Sequence, residues 1–493
     1  MLKDLVQHDK AVRFAAVSIA VAAAYIAISR TMSNPFPGVP KTEANLLDMP
    51  LYDRKRRDEK GEMLPPLEQL DALGSTLIVV NDPKLATSVL VEGQNKYLLG
   101  HKVGRSPVMA EFHSMLIGGE NIGNARGAGW RWRRDVLVPQ FQPRKLVSQV
   151  LPSVIQKSKD LIDHVKSHNG NPVDIDKYFV ELTGNVICEY LFGEVPQPGE
   201  VLFDNFRRTD VIFLSFMLRP IFQFFGWKGP GAREINNNRR YVQRMMDKIR
   251  SGNGQQPSGS PPLMEQLMKL KVYQGKQGEE HLINDMLLMI FAGHDTTAHS
   301  LTYLVYGLTQ ELSVQKKIRE EVTGQLPDLS AITPSSLSKL TYTSAAIKEN
   351  MRIHPPVTVA MHEAYDDFMI DKTLVPKGTT IVISTARINQ HPEIFKQPLA
   401  FLPERWLAED EDMFNDLEAN GADKGLMNST YLTFSKGTHL CLGMNLAYLE
   451  MRIVISYLVT HFNITYDGPI PQTVGMIVAP KDEILFNFQP INA

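Results

Sequence analysis

From position 284 to 301, apolar side chains crowd nearly every face of a run too long for a strand, which predicts a deeply buried helix. Leu446, Leu449, Ile453, Tyr457 and Leu458 recur at helical spacing and predict another helix that begins just after Gly443. Residues 143–168 read as one long helix closed by Asn169-Gly170. Asp176 is the expected cap of the next helix, in which Cys188 falls beside Ile187 and Leu191 as inert core. Residues 77–80 read as a strand, after which Asn81-Asp82-Pro83 opens a helix with proline in an early position. The runs 368–370, 374–375 and 380–383, with turns at Asp371-Lys372-Thr373 and Pro376-Lys377-Gly378, predict a small antiparallel sheet. Residues 357–361 follow Pro355-Pro356 and are expected to run extended. Residues 103–129 are Gly-rich with few helical signals and read as a long functional loop. The chain is thus expected to be mainly α with a minor antiparallel β region.

Two stretches modify that picture. Residues 203–227 carry Phe206, Phe213, Phe216, Phe222, Phe224 and Phe225, which suit core, a lipophilic entrance or a membrane contact. Residues 251–262 are rich in Gly, Ser, Gln and Pro and read as a flexible surface linker between helices.

Residues 14–28 form an uncharged Ala/Val/Ile-rich run flanked by Lys10, Arg13 and Arg30. The run is short for a span that needs ~20 residues, and a cleaved signal peptide competes with a membrane anchor. The scarcity of cysteine and the following Asn34-Pro35-Phe36-Pro37-Gly38-Val39-Pro40 favour the anchor. The organisation expected is an anchor at 1–30, a Pro-rich hinge at 31–50 and a globular domain at 51–493. A net charge of −2 gives no basic footprint for nucleic acid. Two cysteines exclude a disulfide framework and suit a reducing compartment. Zinc and P-loop signatures are missing from the sequence.

Three constellations carry candidate chemistry. The first is Phe434-Ser-Lys-Gly437-Thr-His439-Leu-Cys441-Leu-Gly443. Its cysteine sits in a turn feeding a helix N-terminus, where unpaired N–H groups and the helix dipole favour a thiolate. Gly437 and Gly443 let backbone approach something bulky. A thiolate on such a loop suits an axial position on haem iron, whereas an isolated cysteine also reads as buried structure. The second is Trp130 and Arg134, four apart on one helix face, an indole N–H and a guanidinium suited to a carboxylate such as a haem propionate. A cation–π pair on a solvated helix is the plainer alternative. The third is Ala292-Gly293-His294-Asp295-Thr296-Thr297, a polar patch inside the buried helix. The Thr296 hydroxyl competes for the Ala292 carbonyl, and Asp295 beside it makes a proton relay. A back-bonded Thr with a surface Asp is the alternative.

Taken in order along about 310 residues, these constellations resemble the cytochrome P450 family. Phe-x-x-Gly-x-His-x-Cys-x-Gly, continued by Ala447 and Glu450, is similar to its haem-binding loop. Glu349 and Arg352, with Arg405 in Pro403-Glu404-Arg405-Trp406, resemble its structural Glu–Arg–Arg triad. Two positions depart from the commonest pattern: His439 stands where Arg is frequent, and His362 where an Arg often meets a propionate. Neither histidine is permanently charged at neutral pH.

The resemblance implies a cytochrome P450 fold that holds haem b, iron protoporphyrin IX, with Cys441 as the metal ligand. Trp130, Arg134, His439, His362, Phe434, Gly437, Gly443 and Ala292 are the implied cofactor contacts, with Asp295 and Thr296 as the catalytic proton donors. It implies a monooxygenase placing one oxygen atom from O₂ into a lipophilic small molecule, with electrons from NADPH through NADPH-cytochrome P450 reductase. The setting it suggests is specialised metabolism on the endoplasmic reticulum membrane, with a single-pass anchor and a cytosolic catalytic domain. A reductase-independent haem-thiolate isomerase or dehydratase acting on a peroxide is one rival. A non-enzymatic haem sensor or carrier is the other. Neither has much need of the Asp295–Thr296 pair.

Overall fold

A computed structural model describes residues 36, 38–42, 64–72, 75–92, 103–197, 200, 202–203, 232–252, 260–407, 427–428, 430–473 and 477–491. The apolar run 14–28, residues 204–227 of the aromatic stretch and residues 253–259 of the linker lie outside them. Among the described residues the chain divides into two compact units.

The smaller unit is built on a sheet. Strands β1 (Leu67–Ala72) and β2 (Ser75–Val80) form a hairpin in which Leu67 faces Val80. With β3 (Val103–Arg105), β5 (Ala360–Ala364) and β8 (Thr380–Ile383) they make a five-stranded sheet of order β1-β2-β8-β5-β3. β4 (Val173–Asp174) belongs to the larger unit, and β6 (Phe368–Ile370) and β7 (Thr373–Val375) form a separate hairpin. The expectation of one antiparallel sheet over 368–383 is therefore corrected: β8 leaves the hairpin and pairs in parallel with β2, Ile78 opposite Ile381. All four β8 residues are buried, and an apolar run of that kind suits a covered parallel pairing. Residues 38–42 dock on β1, where Gln69 N–H donates to Pro40 O at 2.7 Å and the Gln69 amide reaches Phe36 O at 2.8 Å.

The larger unit is helical. Counting the described helices of ten residues or more, these are α1 (Pro107–Ile117), α2 (Gly127–Leu137), α3 (Leu151–Ser167), α4 (Ile175–Phe192), α5 (Ala232–Arg250), α6 (Gly275–Gln310), α7 (Leu312–Gln325), α8 (Thr341–Ile353) and α9 (Met444–His461). A small sheet of β4 (Val173–Asp174), β9 (Phe462–Thr465) and β10 (Leu485–Pro490) closes one side, with β10 in the centre. α6 runs 36 residues, ~54 Å at helical rise. It packs along α4 and also touches α5, α8 and α9, so nearly all of its faces find apolar partners.

Three expectations are corrected here. Residues 103–129 hold a helix, α1, bracketed by Ser106-Pro107 at its start and by Gly118 in the left-handed region, φ +96°, at its end. The run 143–168 is two helices, Pro143–Gln149 and α3, separated at Val150 (φ −110°) just ahead of Pro152; proline has no N–H to continue a helix ladder. The expected close at Asn169 and Gly170 is present, both at positive φ. Finally, Asp176 does not cap α4. Asp174 holds that position and Asp176 sits in the first turn, its carboxylate committed elsewhere. Cys188 is fully buried in α4 and burial pushes its thiol far up, as core chemistry requires.

Candidate functional site

The loop ahead of α9 is fixed from below by a buried network. Glu349 on α8 accepts from Arg352 Nε and Nη2, both at 2.8 Å, from Arg405 Nε at 3.0 Å and from Trp406 Nε1 at 2.9 Å. A carboxylate with four charge-assisted or indole donors is satisfied despite complete burial. Arg352 also donates to Asn389 O at 3.0 Å, and the Asn389 side chain accepts from Leu432 N–H at 2.9 Å and donates to Thr433 Oγ1 at 2.8 Å. Asn389 carries no pattern that sequence reasoning could isolate, yet it passes the triad's rigidity to the residues directly before Phe434.

From there the loop turns tightly. Ser435 and Gly437 both take positive φ, +61° and +67°, and the Cys441 N–H returns to Phe434 O at 2.9 Å. Phe434 packs on the Tyr448 ring at 5.5 Å. The Cys441 thiol receives the Gly443 and Met444 N–H groups at the start of α9. These two donors and the cations Arg134 and Arg105 favour the thiolate, but burial is the larger influence and holds the thiol above its ordinary value. Cys441 has surface open to a water-sized contact and is nevertheless deep within the protein. Depth, which sets the electrostatics, decides here. Arg105, on β3, was missed because nothing in the sequence links it to position 441.

α2 brings the second constellation to the same place. Trp130 is buried, its ring centroid 4.5 Å from that of His439. Arg134 is half-buried close enough to Cys441 for the two charges to interact. It makes no hydrogen bond or ion pair with any described residue, whereas its neighbour Arg133 is buried and paired with Asp285 at 3.2 Å. Asn445 Nδ2 donates to Phe141 O at 3.1 Å and ties α9 to the turn after α2. At Gly443 a Cβ would meet no protein atom within 4 Å. The protein's own packing therefore does not call for glycine there, which leaves room for a bulky group beside the thiol. His362 lies buried on β5, in the other unit.

The third constellation sits in the middle of α6. Thr296 Oγ1 donates to Ala292 O at 2.8 Å, as its position suggests. Carbonyls 290, 292, 294, 296, 298 and 300 all take a side-chain donor in addition to the helix ladder. Such second bonds weaken a helix, yet α6 continues through them without a break. What opens is the surface: Ala292 is exposed and Gly293 and Thr296 are half-buried within residues 282–305, which are otherwise buried. Asp295 points elsewhere. It is 5% exposed, its Oδ1 lying 3.1 Å from His294 Nε2 and 4.0 Å from His299 Nε2.

The structure therefore brings together a thiol on a helix N-terminus, a guanidinium that has no hydrogen bond or ion pair among the described residues and an open backbone position, while Ala292 and Thr296 lie on the accessible strip of α6. A family model for cytochrome P450 matches residues 62–488. The chain belongs to the cytochrome P450 family. It is 24% identical over 463 residues to cytochrome P450 4c21 of Blattella germanica, covering 88% of both chains. Against cytochrome P450 3A29 of Sus scrofa it is 23% identical, covering 84% of this chain and 82% of the relative. Against cytochrome P450 71B26 of Arabidopsis thaliana the figures are 24% identity, 72% and 74%. Membership makes this P450 a monooxygenase that carries haem b on a cysteine thiolate, and its mainly helical fold with minor sheets agrees.

Proposed function

We propose that this P450 inserts one oxygen atom of O₂ into a lipophilic small molecule with electrons delivered from NADPH by a cytochrome P450 reductase. In this reading Cys441 would hold the haem iron through its thiolate. The observation that carries it is the meeting of Cys441, held on the N–H groups of Gly443 and Met444, with the unpaired Arg134. Arg134 and Trp130 would hold propionate groups, with the guanidinium supplying the charge and the indole a directed donor. His439, its ring tilted 45° against that of Trp130, and His362 are assigned to the same task. Phe434 and Gly437 shape the loop, and Gly443 and Ala292 leave space for the ring. The haem, when bound, supplies the oxidising chemistry. The protein's share is to bind, orient and bring protons. Thr296, on the exposed strip of α6, holds the donor network at the groove, and Asp295 is the acid behind it.

The uncharged run 14–28 supports a single-pass anchor in the endoplasmic reticulum membrane, with the catalytic domain on the cytosolic side. Among the described residues no helix is long and apolar enough to cross a membrane.

The test is NADPH-dependent turnover with an added reductase, in the wild type and in Thr296→Ala. The substitution removes one hydroxyl and little volume, so haem content should persist. A positioned proton donor contributes typically 10²–10⁴-fold, so hydrogen peroxide released per NADPH should rise sharply in the variant. Unchanged peroxide per NADPH counts against the role of Thr296. Turnover of a peroxide substrate without NADPH or reductase would favour the rearranging class instead.

A further inference from the structure

The end of α3 puts two imidazoles side by side at the surface. His164 and His168 are four apart, a spacing that returns a helix to the same face. Their ring centres lie 4.7 Å apart with the planes at 67°. Two imidazoles on one metal ion, with bonds of ~2.1 Å at a near-tetrahedral angle, have centres roughly 5 Å apart. The backbone already holds this spacing: His168 caps α3 at φ −77°, and its backbone N–H returns to Val165 O at 3.2 Å. Both rings are also fixed in orientation. His168 Nδ1 is 2.9 Å from His164 O; a carbonyl only accepts, so Nδ1 carries the hydrogen and Nε2 keeps its lone pair. A ring N–H given to a backbone carbonyl is the arrangement that orients a metal-ligating histidine. His164 lies against the Tyr178 ring of α4, centres 4.5 Å apart and planes at 30°.

The surroundings favour a cation. Asp160 and Asp163 on α3 and Glu181 on α4 are exposed. After burial, which is the larger influence, their three charges push the Tyr178 phenol up to about 12. Burial and then the neighbouring His168 hold His164 below its ordinary value, with Glu181 opposing them. The ring is therefore neutral near pH 7, the form a metal ligand requires. The C-terminal end of α3 adds the negative pole of its dipole. Lys166 is an opposing charge in the same turn, but two residues from each histidine it leaves the helix on another side. We propose that His164 and His168 form a binding site for a divalent transition ion of the zinc, nickel or copper type, the ions that imidazole nitrogen suits. No third His, Cys, Asp or Glu among the described residues is placed to complete a ligand set. Water fills the other positions, and the acids act through their field. Val165 follows His164 where the helix of a zinc peptidase carries its glutamate base, so the site binds without hydrolytic chemistry. An ion held there stabilises the folded chain by linkage, because the unfolded chain does not keep the two rings together.

Two measurements on the haem-loaded full chain, with zinc chloride as the probe, test this. In the first, calorimetric titration compares the wild type with His164→Gln and His168→Gln. Each substitution should weaken the site by about tenfold or more, at least the loss seen when only a supporting group of a metal site is removed. Wild-type protein that takes up no zinc, or variants that bind it as the wild type does, overturn the site. The second needs no variant. Diethyl pyrocarbonate acylates accessible imidazole nitrogen, and peptide mass spectrometry reads the rate at each histidine separately. Zinc should slow the reaction at both His164 and His168 and leave the half-buried His281 of α6 at its metal-free rate. Protection of only one ring of the pair overturns the shared ion. Equal protection of all three histidines reports non-specific zinc on the surface and overturns it as well.

Discussion

At the residue scale the two cysteines separate chemistry from packing. Cys441 receives two backbone N–H groups and feels the charge of two cations, and Cys188 lies inside α4 with no exposed surface. Cys441→Ser should abolish the thiolate signature of the reduced, carbon monoxide-bound enzyme, and Cys188→Ser should keep it at a stability cost of about 1–3 kcal/mol for a newly buried hydroxyl. The signature persisting in the Cys441 variant would falsify the ligand assignment. The candidate site was legible wherever its parts are neighbours in sequence. The loop 434–443 declares itself by spacing, and Ala292 with Thr296 by one helical turn. Arg105 and Asn389 were not legible, because each meets the loop or its support through tertiary packing that leaves no trace in local spacing. Asp295 shows the same limit from the other side: adjacency to Thr296 suggested a pair, yet successive residues on a helix point about 100° apart, and the carboxylate turns to the histidines.

At the scale of elements, the buried ends of α2 and α6 are joined by Asp285. It accepts from Arg133 Nε at 3.2 Å, Tyr273 Oη at 3.0 Å and Ile122 N–H at 2.7 Å. Burial outweighs these partners and raises the carboxyl from 3.8 to about 6. The folded chain therefore binds more protons than the unfolded one between about 4 and 6. By linkage, this group's contribution to stability is complete below that window and declines as pH rises through it. The stability difference between wild type and Asp285→Asn, measured by denaturant unfolding, should shift against the wild type by on the order of 1–3 kcal/mol from pH 4 to 7. A difference independent of pH would mean that the carboxyl titrates alike in both states. Element boundaries were legible where caps are strong, as at Asn169-Gly170. α1 escaped notice because the glycines around it dominate the composition of 103–129, although Ser106-Pro107 and Gly118 bracket it correctly. The parallel pairing of β8 with β2 joins residues some 300 positions apart, beyond the reach of any periodicity.

At the scale of the whole molecule the question is how the enzyme meets a membrane. Residues 14–28 carry no charge, and as a helix they reach ~23 Å at 1.5 Å per residue, short of a hydrocarbon core of ~30 Å. Flanking Arg13 and Arg30 can lie at the interface by extending their charged ends toward water, which lets so short a segment hold. In the proposed arrangement the aromatic stretch 203–227, with seven phenylalanines in 25 positions, would supply a second attachment. Two weak attachments would act together, since each would raise the effective concentration of the other at the surface. Deleting residues 1–33 should therefore release the protein from membranes only in part, with the remainder freed by detergent and not by salt, as read by fractionation. Complete release into buffer would assign all the attachment to the N-terminal run. Full-length protein recovered in the soluble fraction with its N-terminus cut near Ser29 would instead make that run a signal peptide, and the anchored arrangement would fall.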